Sequence, residues 1–167
     1  MKLSTRGEYG LRAMVLLASG ADPVGARRHA QEISAVQDIP AHYLKQILIR
    51  LREAGLVKST RGPSGGHSLA KAPDEITVGE IIVCLEGEAT GVEGVLAMPC
   101  HIGVGPDHCV IKELLLEVKA RVEELLYSTT LADLTNRQCH LSRERVLVQP
   151  RFLNSCHGDL AEGTGSA

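Results

Sequence analysis

The stretch from Leu56 to Leu69 constrains the fold most. It reads Leu56-Val57-Lys58-Ser59-Thr60-Arg61-Gly62-Pro63-Ser64-Gly65-Gly66-His67-Ser68-Leu69. Two short β-type runs flank a tip of three glycines, a proline and a basic residue. Small residues at such a tip let the backbone come close to a polyanion, and Arg61 supplies the charge. Just upstream, Ile39 to Gly55 reads as a helix entered at Pro40 and stopped by Gly55.

A polar-headed helix followed by a glycine-tipped hairpin is the layout of a winged helix-turn-helix. The expected fold is mainly α with a small β wing: a winged helix-turn-helix plus a long dimerisation helix. Only Phe152 and three tyrosines are aromatic, so the core of this 167-residue chain must be aliphatic and largely helical. Its net charge of −2 hides a division. Residues 1–72 carry 11 Lys and Arg against 5 Asp and Glu, net +6, and residues 73–167 carry 7 against 15, net −8. A basic front and an acidic back fit a nucleic-acid reader with a separate regulatory or pairing half. No run is apolar for long enough to span a membrane. The run Ala13 to Ala18 is short and preceded by Arg6, Glu8 and Arg12, which suits a helix of the domain better than an export signal. A cytoplasmic protein is therefore expected, with its five cysteines as thiols or ligands.

The chain divides into four expected parts. Residues 1–75 form the DNA-binding domain. Within it, Thr5-Arg6-Gly7-Glu8 has the form of a capping box and opens a helix through about Ser19, and a short helix lies near Arg28 to Val36. Residues 76–108 form a regulatory region in which Thr77-Val78-Gly79-Glu80 caps a helix from Val78 to Leu85. An irregular, glycine-rich loop follows to His108. Residues 109–135 supply a long helix and a following turn. Ile111, Leu115, Val118, Val122 and Leu125 fall on one stripe at 4-3-4-3 spacing, the seam of a packed or paired helix. Residues 136–167 show no firm pattern and read as a poorly ordered tail.

Together these pieces resemble the bacterial winged-helix repressors that include IscR, NsrR, RirA and CymR. The resemblance rests on residues 1–14, on Tyr43 to Leu48 with Leu51 to Val57, and on Arg61-Gly62-Pro63-Ser64-Gly65-Gly66-His67. Ile76 to Ile82 and Ser128 to Leu134 complete it, so that it covers roughly residues 1–135. It implies a homodimer bound to double-stranded promoter DNA. By analogy, Pro40, Ala41, His42, Tyr43, Lys45 and Gln46 lie on the first turns of the helix that enters the major groove. Gln46 can present a bidentate amide to adenine, and Lys45 can donate to guanine or phosphate. Tyr43 has an alternative place, with its ring in the core. Arg61, Gly62, Ser64 and Gly65 form the wing tip, where Arg61 would enter a minor groove or clamp a phosphate. Arg50 and Arg52 read as phosphate contacts or solvated charge.

The same resemblance bears on the cysteines. Iron–sulfur members of the family hold their cluster with three cysteines before the long helix, plus a fourth ligand of another type. Cys109 matches the third cysteine and Cys100 the second, although no cysteine stands near Val92 to Gly94 for the first. Cys100 and Cys109, with Glu8 and one of His101 or His108, would hold a [2Fe–2S] cluster. Glu8 is equally explained by the capping box, and the two histidines by ordinary loop polarity. Cys84 reads as a small hydrophobe on a buried helix face. Cys139-His140 and Cys156-His157 match no zinc module.

The leading expectation is a dimeric regulator, a repressor, whose operator affinity follows an iron–sulfur cluster that senses iron, redox state or nitric oxide. A cluster-free regulator sensing through thiols or a protein partner is the alternative. An electron-transfer or metal-handling protein on a winged scaffold is a third. Catalysis is not expected, because no Ser/His/Asp order, P-loop or paired-carboxylate motif appears.

Overall fold

The computed structural model describes residues 3–20, 22–62, 64–90, 93–97 and 110–144. Helix α1 (Thr5–Ala18), α2 (Ala30–Gln37) and α3 (Ala41–Glu53) precede a two-stranded antiparallel hairpin of β1 (Val57–Thr60) and β2 (Gly66–Leu69). A 3-10 turn at Pro73–Glu75 leads to α4 (Val78–Glu86), the short α5 (Glu93–Leu96), α6 (Val110–Ser128) and α7 (Leu131–Glu144). The mainly helical winged fold read from the sequence is the fold observed.

One continuous aliphatic core joins these elements. Met14, Ile33, Leu44, Ile47, Leu51, Leu69, Ile81, Leu85 and Leu131 are fully enclosed. A completely buried leucine contributes about 2 kcal/mol through lost water contact, so this set outweighs any single polar contact in the molecule. Gly10 of α1 lets α4 press close: a Cβ there would stand 2.0 Å from Leu85 Cδ1. The α1–α4 contact is the most extensive between the described helices, and Gly10 helps admit it.

Three local expectations change. Helix α1 is capped by Ser4, whose Oγ accepts from the amides of Arg6 at 3.2 Å and Gly7 at 3.4 Å. Thr5 is already helical, so Glu8 closes no capping box there and instead pairs with Arg12 at 3.8 Å. The stretch 136–144, read as tail, continues α7. Thr130 and Asp133 start that helix by exchanging hydrogen bonds: the Thr130 amide donates to Asp133 Oδ2 at 2.9 Å, and the Asp133 amide donates to Thr130 Oγ1 at 3.1 Å. The Thr130 amide, then the Thr130 hydroxyl donating to Oδ2 at 2.7 Å, hold the Asp133 carboxyl below its ordinary pKa. A single turn of helix, α5, also interrupts the irregular loop.

Helix α6 differs from the rest. None of its 19 residues is buried in the protomer, and Val110, Leu114 and Leu125 are 73%, 60% and 65% exposed. Its far end is fastened to the winged unit. The Val78 amide donates to Thr129 O and the Leu131 amide to Ile76 O, both at 2.9 Å. The Tyr127 ring covers Gly79, where a Cβ would meet ring carbons at 2.8–2.9 Å.

Candidate nucleic-acid interface

Helix α3 separates two chemistries by its period. Leu44, Ile47, Leu48 and Leu51 recur at helical spacing and face the core. Pro40, Ala41, His42, Lys45, Gln46, Arg50 and Arg52 are exposed. No acidic residue stands in its first turn, and Arg50 and Arg52 lie in its last. His42, Lys45 and Gln46 thus form a polar face at 3-4 spacing, on a helix whose first turn carries no acid to repel a phosphate.

The turn that aims this helix is tightly specified. Asp38 adopts the left-handed conformation at φ 51°, ψ 47°, which a short polar side chain tolerates. The Ser34 hydroxyl donates to Ile39 O at 2.6 Å, and Ile39 is buried beneath the turn. Arg12 reaches across from α1, donating to the Gln37 side chain at 3.4 Å and to the Gln37 carbonyl. Its guanidinium lies 5.7 Å from the Tyr9 ring centre. Tyr9 in turn meets Tyr43 edge-on at 5.8 Å, and Tyr43 meets His42 at 6.3 Å. Tyr43 is therefore half-buried against the core, the second of its two expected places. It positions the start of α3 from below.

The wing pairs Val57 with Leu69 and Thr60 with Gly66. Arg61, Gly62 and Ser64 are exposed at the tip. Gly65 is not: it is buried, and a Cβ there would stand 2.3 Å from Thr60 O. Its small size serves the tip's own fold. Gly62 has φ +115° and Gly66 φ +147°, values that L side chains avoid. A further contact was not legible in the hairpin pattern. Arg28 pairs with His67 on the free edge of β2, its amide donating to His67 O at 2.9 Å and its carbonyl accepting from the His67 amide at 2.8 Å. The wing is thereby stitched to the approach to α2. The only forewarning was the basic run Arg27-Arg28-His29, which carries no strand signal of its own.

His67 is half-buried at this seam, with Nδ1 2.9 Å from the Ser59 hydroxyl. Burial, then the charges of Arg52 and His29, push its pKa below the ordinary value.

The candidate cluster ligands are divided. Glu8 is exposed on α1 beside Arg12. Cys100, His101, His108 and Cys109 lie outside the described residues, as do Cys156 and His157. Among the described residues no group of three or more His, Cys, Asp or Glu side chains could hold a metal ion. Cys84 is half-buried against the core, its thiol 3.5 Å from Arg50 O, and burial raises its pKa. The sequence placed it on a buried helix face; it packs against the core but is only half-buried. Cys139 and His140 sit on α7. No described helix is long and apolar enough to cross a membrane.

An exposed polar helix beside a glycine-tipped basic hairpin, both mounted on a helical core, defines a winged helix-turn-helix DNA-binding regulator. Residues 3–137 match the Rrf2 family, described as iron-dependent transcriptional regulators. The chain belongs to that family. It is 41% identical over 138 residues to the HTH-type transcriptional regulator CymR of Bacillus subtilis, covering 81% of this chain and 91% of the relative. It is 37% identical over 142 residues to the regulator IscR of Erwinia tasmaniensis, covering 83% of this chain and 81% of that one. Among solved structures, CymR of B. subtilis, titled the global cysteine regulator of that organism, superposes with a TM-score of 0.65 at 37% identity. That match covers 82% of this chain and 98% of the other.

Proposed function

We propose that the chain is a homodimeric transcription repressor that reads promoter DNA through the exposed face of α3 and the wing. The observation that carries this reading is the exposed polar face of His42, Lys45 and Gln46, with no acid in the first turn of α3, together with the exposed Arg61 at the wing tip. Gln46 and Lys45 contact base edges, and Arg61, Gly62 and Ser64 contact the backbone or minor groove. Pro40 and Ala41 allow close approach at the head of α3. Pairing is supported by α6, where Val110, Ile111, Leu114, Leu116, Val118 and Leu125 are exposed and no residue is buried. Two copies joined along α6 present two α3 helices, as a palindromic operator requires.

The signal arrives at the segment leading into α6. Cys100 and Cys109, with Glu8 and His101 or His108, are the donors that would hold a [2Fe–2S] cluster, which when bound supplies sensitivity to iron, redox state or nitric oxide. The family's description as iron-dependent regulators supports this assignment. The chain's own contribution is mechanical. The end of α6 is tied to α4 and the 3-10 turn, and α4 packs on both α1 and α3, so a shift of α6 reaches the reading helix.

A second reading is favoured by the 41% identity to CymR. In it the same fold reads DNA, and cysteine thiols or a protein partner deliver the signal. The visible spectrum of protein purified without oxygen, with iron and sulfide assayed on the same sample, separates the two. Cluster chemistry predicts visible absorbance with matched iron and sulfide, lost in Cys100→Ala or Cys109→Ala variants that still fold. Protein that stays colourless after anaerobic reconstitution assigns the signal to thiols or a partner.

A further inference from the structure

The edge of the wing opposite β1 carries a cation that the reading above does not use. Strand β2 pairs with β1 on one side and with Arg28 on the other, so the residues before α2 form a third rung of the wing. Gly66 makes this fit possible: a Cβ there would stand 2.8 Å from Arg28 O and 3.2 Å from Arg27 Cβ. The two neighbouring arginines then diverge. Arg28 turns inward, pairing with Glu32 and donating to Ser19 O at 3.2 Å. Arg27 stays exposed and runs along the wing toward its tip, where Nη1 lies 3.4 Å from Ser64 O.

The surroundings of Arg27 are cationic. His29 is exposed two residues on, and Arg52 at the end of α3 and His29 both lie near enough to His67 on β2 to disfavour its charged form. Two acids near Arg27 in the chain are committed: Glu32 to Arg28, and Asp22 to the Gly25 amide at 2.7 Å. Among the described residues no carboxylate lies within ion-pair distance of Arg27, Arg52 or Arg61. Exposed arginines with no ion-paired carboxylate among the described residues are most stable where a polyanion supplies the counter-charge.

We infer that Arg27 is a second phosphate arm of the wing, so that the sugar–phosphate backbone of duplex DNA is held by Arg61 on one edge and Arg27 on the other. This rests on the DNA-reading function proposed above. The weak contact to Ser64 O keeps the Arg27 side chain extended along the wing in free protein. A phosphate oxygen offers it a charge-assisted bond in place of that neutral one. The contact carries no sequence information; it fixes how the wing lies on the duplex.

The test is fluorescence anisotropy of a labelled random-sequence duplex, titrated with the full chain across a range of potassium chloride concentrations. The variants are Arg27→Ala, Arg27→Gln and Arg27→Lys. Losing one phosphate contact lowers the slope of log affinity against log salt by about one. Arg27→Ala is expected to show that loss with a several-fold weaker affinity, and Arg27→Lys to restore the slope. Glutamine can still donate to Ser64 O, so it separates the two roles. A slope for Arg27→Gln matching that of Arg27→Ala supports the arm; one matching wild type means Arg27 only pins the tip and overturns it. Wild-type binding with an unchanged Arg27→Ala variant overturns the arm alone. A wild-type chain with no affinity for any duplex at low salt overturns the DNA-reading function beneath it.

Discussion

His67 shows how one residue links the wing's stability to pH. Its ring hydrogen-bonds Ser59, its backbone pairs with Arg28, and its charged neighbours are Arg52 and His29. Burial and those like charges disfavour the imidazolium, so the folded pKa lies below the unfolded value of about 6.5. Above that value both states are neutral and the residue costs nothing. As pH falls through it, the unfolded chain takes up the proton first, and stability drops. The melting temperature is therefore expected to fall between roughly pH 7.5 and pH 5.5, and His67→Gln is expected to flatten that fall. An identical pH profile in wild type and variant would contradict the assignment. Residue-scale chemistry of this kind was only partly legible in the sequence. His42, Lys45 and Gln46 emerge exposed because helical period alone places them opposite Leu44, Ile47 and Leu51. Gly65 was read as a surface residue and is buried, because the fold of a hairpin tip depends on backbone dihedrals that composition does not encode.

At the scale of elements, local signals were read well and tertiary ones poorly. The capping box at the start of α4 is the local case. Thr77 Oγ1 accepts from the Glu80 amide at 3.2 Å, and Glu80 Oε2 accepts from the Thr77 amide at 2.8 Å. The Thr77 amide, then the Thr77 hydroxyl and Lys71, hold the Glu80 carboxyl below its ordinary pKa. Thr77→Ala is expected to cost about 1 kcal/mol, seen as a lower midpoint in urea with an unchanged slope. A variant as stable as wild type would show that the backbone ties to Thr129 and Thr130, not the cap, hold this end of α4. At α1, Ser4 and Thr5 are both competent caps, and only the contact of the Ser4 hydroxyl with Glu86 of α4 separates them. Helix α7 escaped notice because Leu131, Leu134 and Leu141 are sparse, while its real support comes from packing on α1 and the 3-10 turn. The third rung of the wing was invisible for the same reason: Arg28 and His67 are 39 residues apart and meet only through the fold.

For the whole molecule, the division of charge and the division of packing coincide. The net +6 front holds α3, the wing and most of the core, while the net −8 back begins at the 3-10 turn and includes α4 and an α6 without a buried residue. Collecting most of the acidic residues in the later part of the chain leaves the earlier part with the net positive charge a polyanion attracts. Length and composition were enough to suggest this arrangement, because both charge sign and helical stripe survive averaging over many residues. Of the proposed cluster ligands only Glu8 lies among the described residues, so their spacing in the sequence is all that speaks for them.

The central claim is that the chain reads DNA sequence through α3. Selection of bound duplexes from a random-sequence library, by the full chain and in parallel by Gln46→Ala, tests it most directly. The expected result is enrichment of one inverted-repeat sequence by the wild-type chain, with the preference weakened by about 1–3 kcal/mol per half-site in the variant. Recovery of duplexes with no sequence preference, or the same preference from both proteins, would contradict it.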